Sequence, residues 1–586
     1  MSDTNISRRS FVARSGAVAF AATTFSALLA DAAQAELPTG GLPAPGDVTA
    51  LGKPIEDLDV LELASLLQHG DLTSVAVTQR YLDRIASFNG PTGTYADAGP
   101  GALGAFVRVD AAGALADAAD ADTRLAAALA GGALAPLLCG VPFAVQEAIA
   151  IEGLPLQNGT TALAGNVALR DAGVVDRLRE LGAVPVGLTT CAPFSQLTAG
   201  QPTGAYARNP WKPTTRAGGP GEGAAVAAAA RLIPAALAVD GGGGATVPAA
   251  ITGASAIVPS EGLVPTDGLM PDVPGKDVIA PVARSVRGAS LILNAILGPR
   301  LARDPVSATA PADFPLIPIV PRTTDHPLEG TTIGVPTKDW MRTASGVDTS
   351  SPPRASWDAA YAAAFDRFVD ELKALGATVK EFAGLDLTDT TANPYRGSTD
   401  VVGTSAGASL TPEQATTLAV RDEVRYTVAI QGFSGTVPSG QAADLLAYYG
   451  RAPSGGGAAT LAAAVAVERG LTWGARFDAE ERRRTLARNY RAALAEAGVD
   501  MMLVLSVAGP LGAVGSDFPA RRDALDLPNV LGWPAVTLPI GTASDVPVSA
   551  TLIGPRFSEP AVVQTAIDYQ AAHPQWHTMK APDPAS

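Results

Sequence analysis

The side chains able to do chemistry lie between Gln146 and Gly244. Glu222 is the one ionisable group in the run Gly218-Gly219-Pro220-Gly221-Glu222-Gly223. A carboxyl held there can exchange a proton, pair with a guanidinium such as Arg216, or face solvent. Cys191, in Thr189-Thr190-Cys191, is a candidate thiol nucleophile, but no histidine is near in sequence to lower its pKa, and the alternative is an inert buried side chain. Asp240 is followed by Gly241, Gly242, Gly243 and Gly244. Four glycines can turn their backbone amides towards an anion or a carbonyl oxygen and form a ligand-binding nest; the alternative is a turn with no ligand. Gln146 ends an apolar run, where its amide can hydrogen-bond but cannot take up a proton near neutral pH. His69, His326, His573 and His577 lie outside this stretch and have no zinc-ligand spacing, so no metal and no cofactor are expected, and each histidine reads as a surface or structural residue.

These residues need a scaffold that brings distant segments together. Apolar strands at Val141–Val145, Val184–Gly187 and 236–239 alternate with helices, one of them the Ala-rich stretch 224–231. That rhythm predicts a mostly parallel sheet covered on both faces. Leu61, Leu63, Leu66 and Leu67 mark a first helix, and Thr73 or Ser74 caps a second that runs to Gly90. The alternation returns in helices at 357–375 and 481–497, which lead to strands at Thr378-Val379 and 501–505. Residues 386–470 are the least regular and read as a variable surface region over the core.

Several strings occur in the order and spacing of the amidase-signature family. They are Gly140-Val141-Pro142-Phe143-Ala144-Val145, Gly182-Ala183-Val184-Pro185-Val186-Gly187, Asn209-Pro210-Trp211-Lys212-Pro213, Asp240 with its glycines, and Val247-Pro248-Ala249-Ala250. Thr332-Ile333-Gly334-Val335-Pro336, Asn529-Val530-Leu531-Gly532-Trp533-Pro534-Ala535 and Leu552-Ile553-Gly554-Pro555-Arg556-Phe557 continue the series. The chain resembles that family over residues 57–575. The resemblance implies an α/β fold: one large α/β/α domain, a twisted mixed sheet between helical layers, and a deep acyl-binding pocket. It also implies an amidase mechanism in which a lysine, acting through a serine held on a cis peptide, takes the proton of a second, nucleophilic serine.

Here those three positions are vacant. Gln146 stands where the family has its lysine; Pro220, in a loop about two residues shorter than the family's, stands where the first serine would fall; Gly244 stands at the nucleophile. No serine occurs between Ser195 and Ser255, and no lysine between Lys53 and Lys212, so the triad is absent from the stretch and not merely displaced within it. The resemblance assigns the Gly241–Gly244 amides to the oxyanion loop, and Pro193 replaces an acidic residue usual in the family. Three readings follow. The first is a non-hydrolytic pseudoenzyme that binds a small amide, acyl or carboxylate ligand. The second is an enzyme of altered chemistry using Glu222 or Cys191 with the glycine nest. The third is an orthodox amidase acting on C–N bonds, which overall similarity favours and the vacant positions oppose.

Ser7-Arg8-Arg9-Ser10-Phe11, the apolar stretch 16–29 and Ala33-Gln34-Ala35 read as a twin-arginine signal peptide over residues 1–35, cleaved before Glu36. A Pro- and Gly-rich linker follows at 36–56, then the amidase-signature domain at 57–578 and a tail at 579–586. The expected location is periplasmic or extracellular, with no later membrane span. In a chain of 586 residues a net charge of −15 excludes nucleic acid as a partner, because phosphate backbones need clustered Lys and Arg. The two cysteines, Cys139 and Cys191, leave a disulfide open.

Overall fold

Runs such as Phe143-Ala144-Val145 and Ala235-Ala236-Leu237-Ala238-Val239 are apolar at every position, so they are stable only where both faces of the strand are covered. The computed structural model places them at the centre of such a sheet. It describes residues 53–583 apart from 96–97, 100, 133, 160–164, 193–205, 271–276, 300–302, 338–356, 385–472, 510–511 and 513–526. The expected signal peptide and the surface region 386–470 lie outside the described residues.

The strands are β1 (Phe106–Val109), β2 (Pro142–Gln146), β3 (Val184–Thr189), β4 (Ala235–Asp240), β5 (Ser255–Val258), β6 (Val278–Ala283), β7 (Thr332–Pro336), β8 (Thr378–Phe382), β9 (Met501–Leu505), β10 (Ala535–Ala543) and β11 (Val546–Ile553). Among the described residues they form one eleven-stranded sheet in the order β1-β3-β2-β4-β6-β5-β10-β11-β9-β7-β8. This is an α/β fold with a mixed sheet between helical layers, as the resemblance to the amidase-signature family implies.

The expectation of a mostly parallel sheet is corrected. Parallel pairing holds for β2 with β3 and β4, and for β7 with β8 and β9. The other six pairings are antiparallel. Strand composition reports burial, whereas direction is set by the connections. Between β10 and β11 the connection is a two-residue turn, Ser544-Asp545, with φ of 49° and 66°, which forces an antiparallel hairpin.

Two apolar clusters lie on opposite faces of the sheet. Phe143 and Val145 of β2, with Leu237 and Val239 of β4, face one cluster, joined by α1 (Val60–Gln68), while Ala144, Ala236 and Ala238 face the other. The second is filled from α2 (Ser74–Phe88) by Leu82 and Ile85, from α3 (Ala111–Ala130) by Ala114 and Ala118, and from the buried α4 (Glu222–Ala229) by its alanines. Small side chains let α4 lie close against the sheet. It begins two residues before the expected 224, and Arg231, at φ 61°, follows its end. Thr73 caps α2, accepting from the Ala76 amide, and Asp59 and Glu62 form a reciprocal capping box on α1. Cys139 and Cys191 are both free and buried, so the disulfide left open by the sequence is not formed. In the segment set apart as a tail, Lys580 pairs with Asp57, and Asp583 accepts from Arg84 at 2.7 Å and Arg231 at 2.9 Å.

Candidate functional site

Because β2, β3 and β4 run parallel, their C-terminal ends emerge at one edge of the sheet, the usual place for a site in such folds. Alternation along the strands decides which side chains point to α4. Ala144 faces it, so Gln146 does; Ala236 and Ala238 face it, so Asp240 does.

The three positions that the resemblance marks as vacated are brought together. Gln146 is fully buried; its Oε1 accepts from the Val239 amide at 2.9 Å, and its side chain also hydrogen-bonds the Cys191 thiol. The Gly221 amide donates to the Gly244 carbonyl at 2.9 Å. A Cβ added to Gly221 would lie 2.9 Å from that carbonyl oxygen and 3.0 Å from Gln146 Oε1. The neighbouring Pro220 carbonyl accepts from the Ala192 amide at 3.1 Å. At Gly244 a Cβ would fall 2.3 Å from the Val239 carbonyl oxygen, so no larger residue fits without moving β4. The space of a relay is filled by backbone contacts.

The glycine run is folded round carboxylates of this chain. Asp240 is buried; its Oδ1 accepts from the amides of Gly243 at 2.9 Å and Gly242 at 3.3 Å, and its Oδ2 from the amides of Ala245 at 2.8 Å and Thr246 at 2.9 Å and from Thr246 Oγ1 at 3.1 Å. Asn529, from the late landmark string, fixes the loop by donating to the Asp240 carbonyl at 2.6 Å. Over Gly241 stands Asp277, whose Oδ1 would lie 1.8 Å from an added Cβ. Two of the four amides expected from the sequence to form a ligand nest are therefore directed at Asp240, and an anionic ligand would have to compete with that carboxylate.

Glu222, the first residue of α4, is fully buried. It accepts from the Ala207 amide at 3.1 Å and from the Gly218 amide, while its Oε2 lies 4.0 Å from Arg216 Nη2, too far for a hydrogen bond. Arg216 in turn stacks on Tyr206 at 4.7 Å. Burial pushes the Glu222 carboxyl up to about 7, against the pull of Arg216 and the two amides. The pairing with Arg216 considered from sequence is thus present, without the solvent exposure that was its alternative. Gly223 is required behind it, since a Cβ there would meet the Thr190 amide nitrogen at 2.4 Å.

Cys191 is buried, with its thiol 3.6 Å from Asn158 Oδ1. Burial raises its pKa well above the ordinary thiol value, and the carboxylates of Glu147 and Glu222 raise it further, offset in part by the Gln146 amide. Such a thiol stays protonated at neutral pH, which disfavours the nucleophile role and favours the inert one.

Glu147 escaped the sequence reading. It is fully buried, accepts from the Gly159 amide at 2.9 Å and lies 2.8 Å from the Tyr95 hydroxyl oxygen, and burial pushes its carboxyl up to about 7. The signal was available: Glu147 is the only charged residue in the run 141–151. Pro193 lies outside the described residues. The histidines belong elsewhere: His69 is the C-cap of α1, His573 stacks on Tyr569 at 4.7 Å, burial lowers His577 to about 4, and His326 lies in the loop before β7. Among the described residues no group of His, Cys, Asp and Glu is placed to hold a metal ion, and no helix is long and apolar enough to cross a membrane.

Comparison with known proteins places this geometry among relatives. Residues 77–563 match the family described as Amidase. The chain is 30% identical over 541 residues to the A subunit of the glutamyl-tRNA(Gln) amidotransferase of Azoarcus sp. (strain BH72), covering 89% of this chain and 99% of that protein. Its fold is similar to that of the native peptide amidase from Stenotrophomonas maltophilia, with a TM-score of 0.69 and 25% identity over 91% of this chain and 99% of that one. The 6-aminohexanoate cyclic dimer hydrolase complexed with substrate shares the fold at a TM-score of 0.65 and 20% identity, over 90% of this chain and all of that one, 100%.

Proposed function

The chain belongs to the amidase family, and from that premise we propose that it is a member without the serine–serine–lysine relay, which holds a small amide, acyl or carboxylate ligand without hydrolysing it. The observation that carries this reading is the closure at the vacated positions. Gln146 is bound to Val239, Gly221 to Gly244, and the Val239 carbonyl lies where a side chain at 244 would begin. An aliphatic hydroxyl is a weak nucleophile until a base takes its proton, and neither the hydroxyl nor the base is present at these positions.

A second reading keeps some chemistry and rests on Glu222, a buried carboxyl pushed up to about 7, the range useful to a general acid or base. The glycine loop favours ligands that are neutral at the contacting atom, such as an amide, over a free carboxylate, because Asp240 and Asp277 already put negative charge there. The names of the relatives point instead to an active amidase, the third reading, which the closed positions oppose. The twin-arginine string at Arg8-Arg9 supports export, and with it a periplasmic or extracellular location.

The test has two arms. The chain from Glu36 onward is assayed against a panel of aryl, alkyl and peptide amides, and small molecules that co-purify with it are identified by native mass spectrometry. The proposal expects no turnover and a retained small ligand. Turnover lost in Glu222→Gln by roughly 10²–10⁴-fold establishes the second reading, and turnover unaffected by it the third.

A further inference from the structure

We propose that Glu147 is a proton-carrying site in the wall of the vacated centre, donating its proton to the Tyr95 hydroxyl. The available hydrogens decide it. Tyr95 Oη lies 2.8 Å from Glu147 Oε1 and 2.6 Å from Gln157 Oε1. A hydroxyl carries one proton, so it cannot donate to two acceptors in full. Gln157 Oε1 is fixed as an acceptor by Arg108 Nη2, a donor only, at 3.3 Å. Two bare oxygens do not rest 2.6 Å apart, so the Tyr95 proton belongs to the contact with Gln157. The hydrogen in the other contact then comes from Glu147. Its second oxygen, Oε2, accepts from the Gly159 amide at 2.9 Å, which leaves Oε1 as the protonated atom.

The groups facing Glu147 agree with this assignment. They are Tyr95, the Gly159 amide, Arg108 with its Nε 3.9 Å from Oε1, and the Cys191 thiol. Only Arg108 favours the carboxylate by charge, it is a quarter exposed, and burial outweighs it, with the carboxyl titrating at about 7.

Loss of the proton reverses the hydrogen-bond direction. The Glu147 Oε1–H bond breaks and the proton passes to water at the half-buried Tyr95; the Tyr95 hydroxyl then turns its own proton from Gln157 to the new carboxylate. Tyr95 and Gln157 are left oxygen against oxygen and separate. The site is therefore also a latch between the loops carrying Tyr95 and Gln157, closed when Glu147 is protonated. This holds whether or not any catalysis survives.

Infrared pH titration tests it as a difference between Glu222→Gln and the Glu222→Gln/Glu147→Gln double variant, so that Glu222 is removed and the other buried carboxyls with raised pKa, Glu559, Asp568 and Asp171, cancel. The expected result is an un-ionised carboxyl band just below neutral pH that disappears as the pH passes through about 7 and is missing in the Glu147→Gln double variant. Superimposable spectra with and without Glu147→Gln would overturn the proposal. Tyr95→Phe decides the case in which Glu147→Gln does not fold: a band displaced in frequency supports donation to Tyr95, and an unmoved band refutes it.

Discussion

Replacing Glu222 by Gln should remove part of the pH dependence of folding. In the native protein the Glu222 carboxyl titrates at about 7, against 4.5 for an ordinary glutamate, because burial disfavours the carboxylate. A displacement of about two and a half pH units, at about 1.4 kcal/mol each, is worth about 3 kcal/mol. The sign follows from proton binding. Between the two values the native state holds a proton that the unfolded chain has released, so stability is highest below the unfolded value and is lost as pH rises towards about 7. Glutamine keeps an oxygen for the Ala207 and Gly218 amides and has no charge to bury. Urea unfolding from acid to mildly alkaline pH should show wild type and Glu222→Gln close together at the acid end, and the variant ahead by about 3 kcal/mol above neutrality. Glu147 titrates in the same window but is present in both proteins and cancels in the difference. Parallel profiles, or a variant that falls more steeply than wild type, would refute the argument that Glu222 is buried against its charge.

Gly244→Ser restores a hydroxyl at the vacated nucleophile position but pushes a Cβ against the Val239 carbonyl, so thermal unfolding should report a loss of about 1–3 kcal/mol and amide assays no gain in turnover. Asp240→Asn replaces an oxygen that receives three donors, or the one that receives two, with an NH₂ group, and should cost about 3 kcal/mol by the same measurement. Replacing Arg8 and Arg9 by lysine should leave the chain in the cytoplasm with residues 1–35 uncut, as read by fractionation and N-terminal mass spectrometry; processed protein outside would refute the twin-arginine assignment.

What the sequence could reveal depended on whether the information was local. Phe143-Ala144-Val145 and the run 235–239 announce buried strands because burial is written into their composition, and Thr73 announces a cap because its side chain serves its own helix. The vacated positions were legible because Gln146, Pro220 and Gly244 each sit beside a string that fixes the register. Sheet direction was not, since β10 and β11 look like any buried strands and only the Ser544-Asp545 turn makes them antiparallel. For the glycine run the sequence leaves a ligand nest and a turn with no ligand both open, because it shows which residues can present amides, not which acceptor takes them; here Asp240 takes two. Glu147 was passed over for a related reason: its partners Tyr95, Gln157 and Gly159 are brought to it by loops that sequence spacing does not join.

A member of this family without the relay has no serine activated as a nucleophile. The direct measurement is exposure of the chain from Glu36 onward to a serine-directed fluorophosphonate, followed by intact-mass analysis and peptide mapping. The closed contacts among Gln146, Gly221 and Gly244 predict an unmodified mass and no labelled serine. A stoichiometric adduct on any serine, abolished by prior denaturation, would show that an activated nucleophile survives and that the vacated positions do not decide the chemistry.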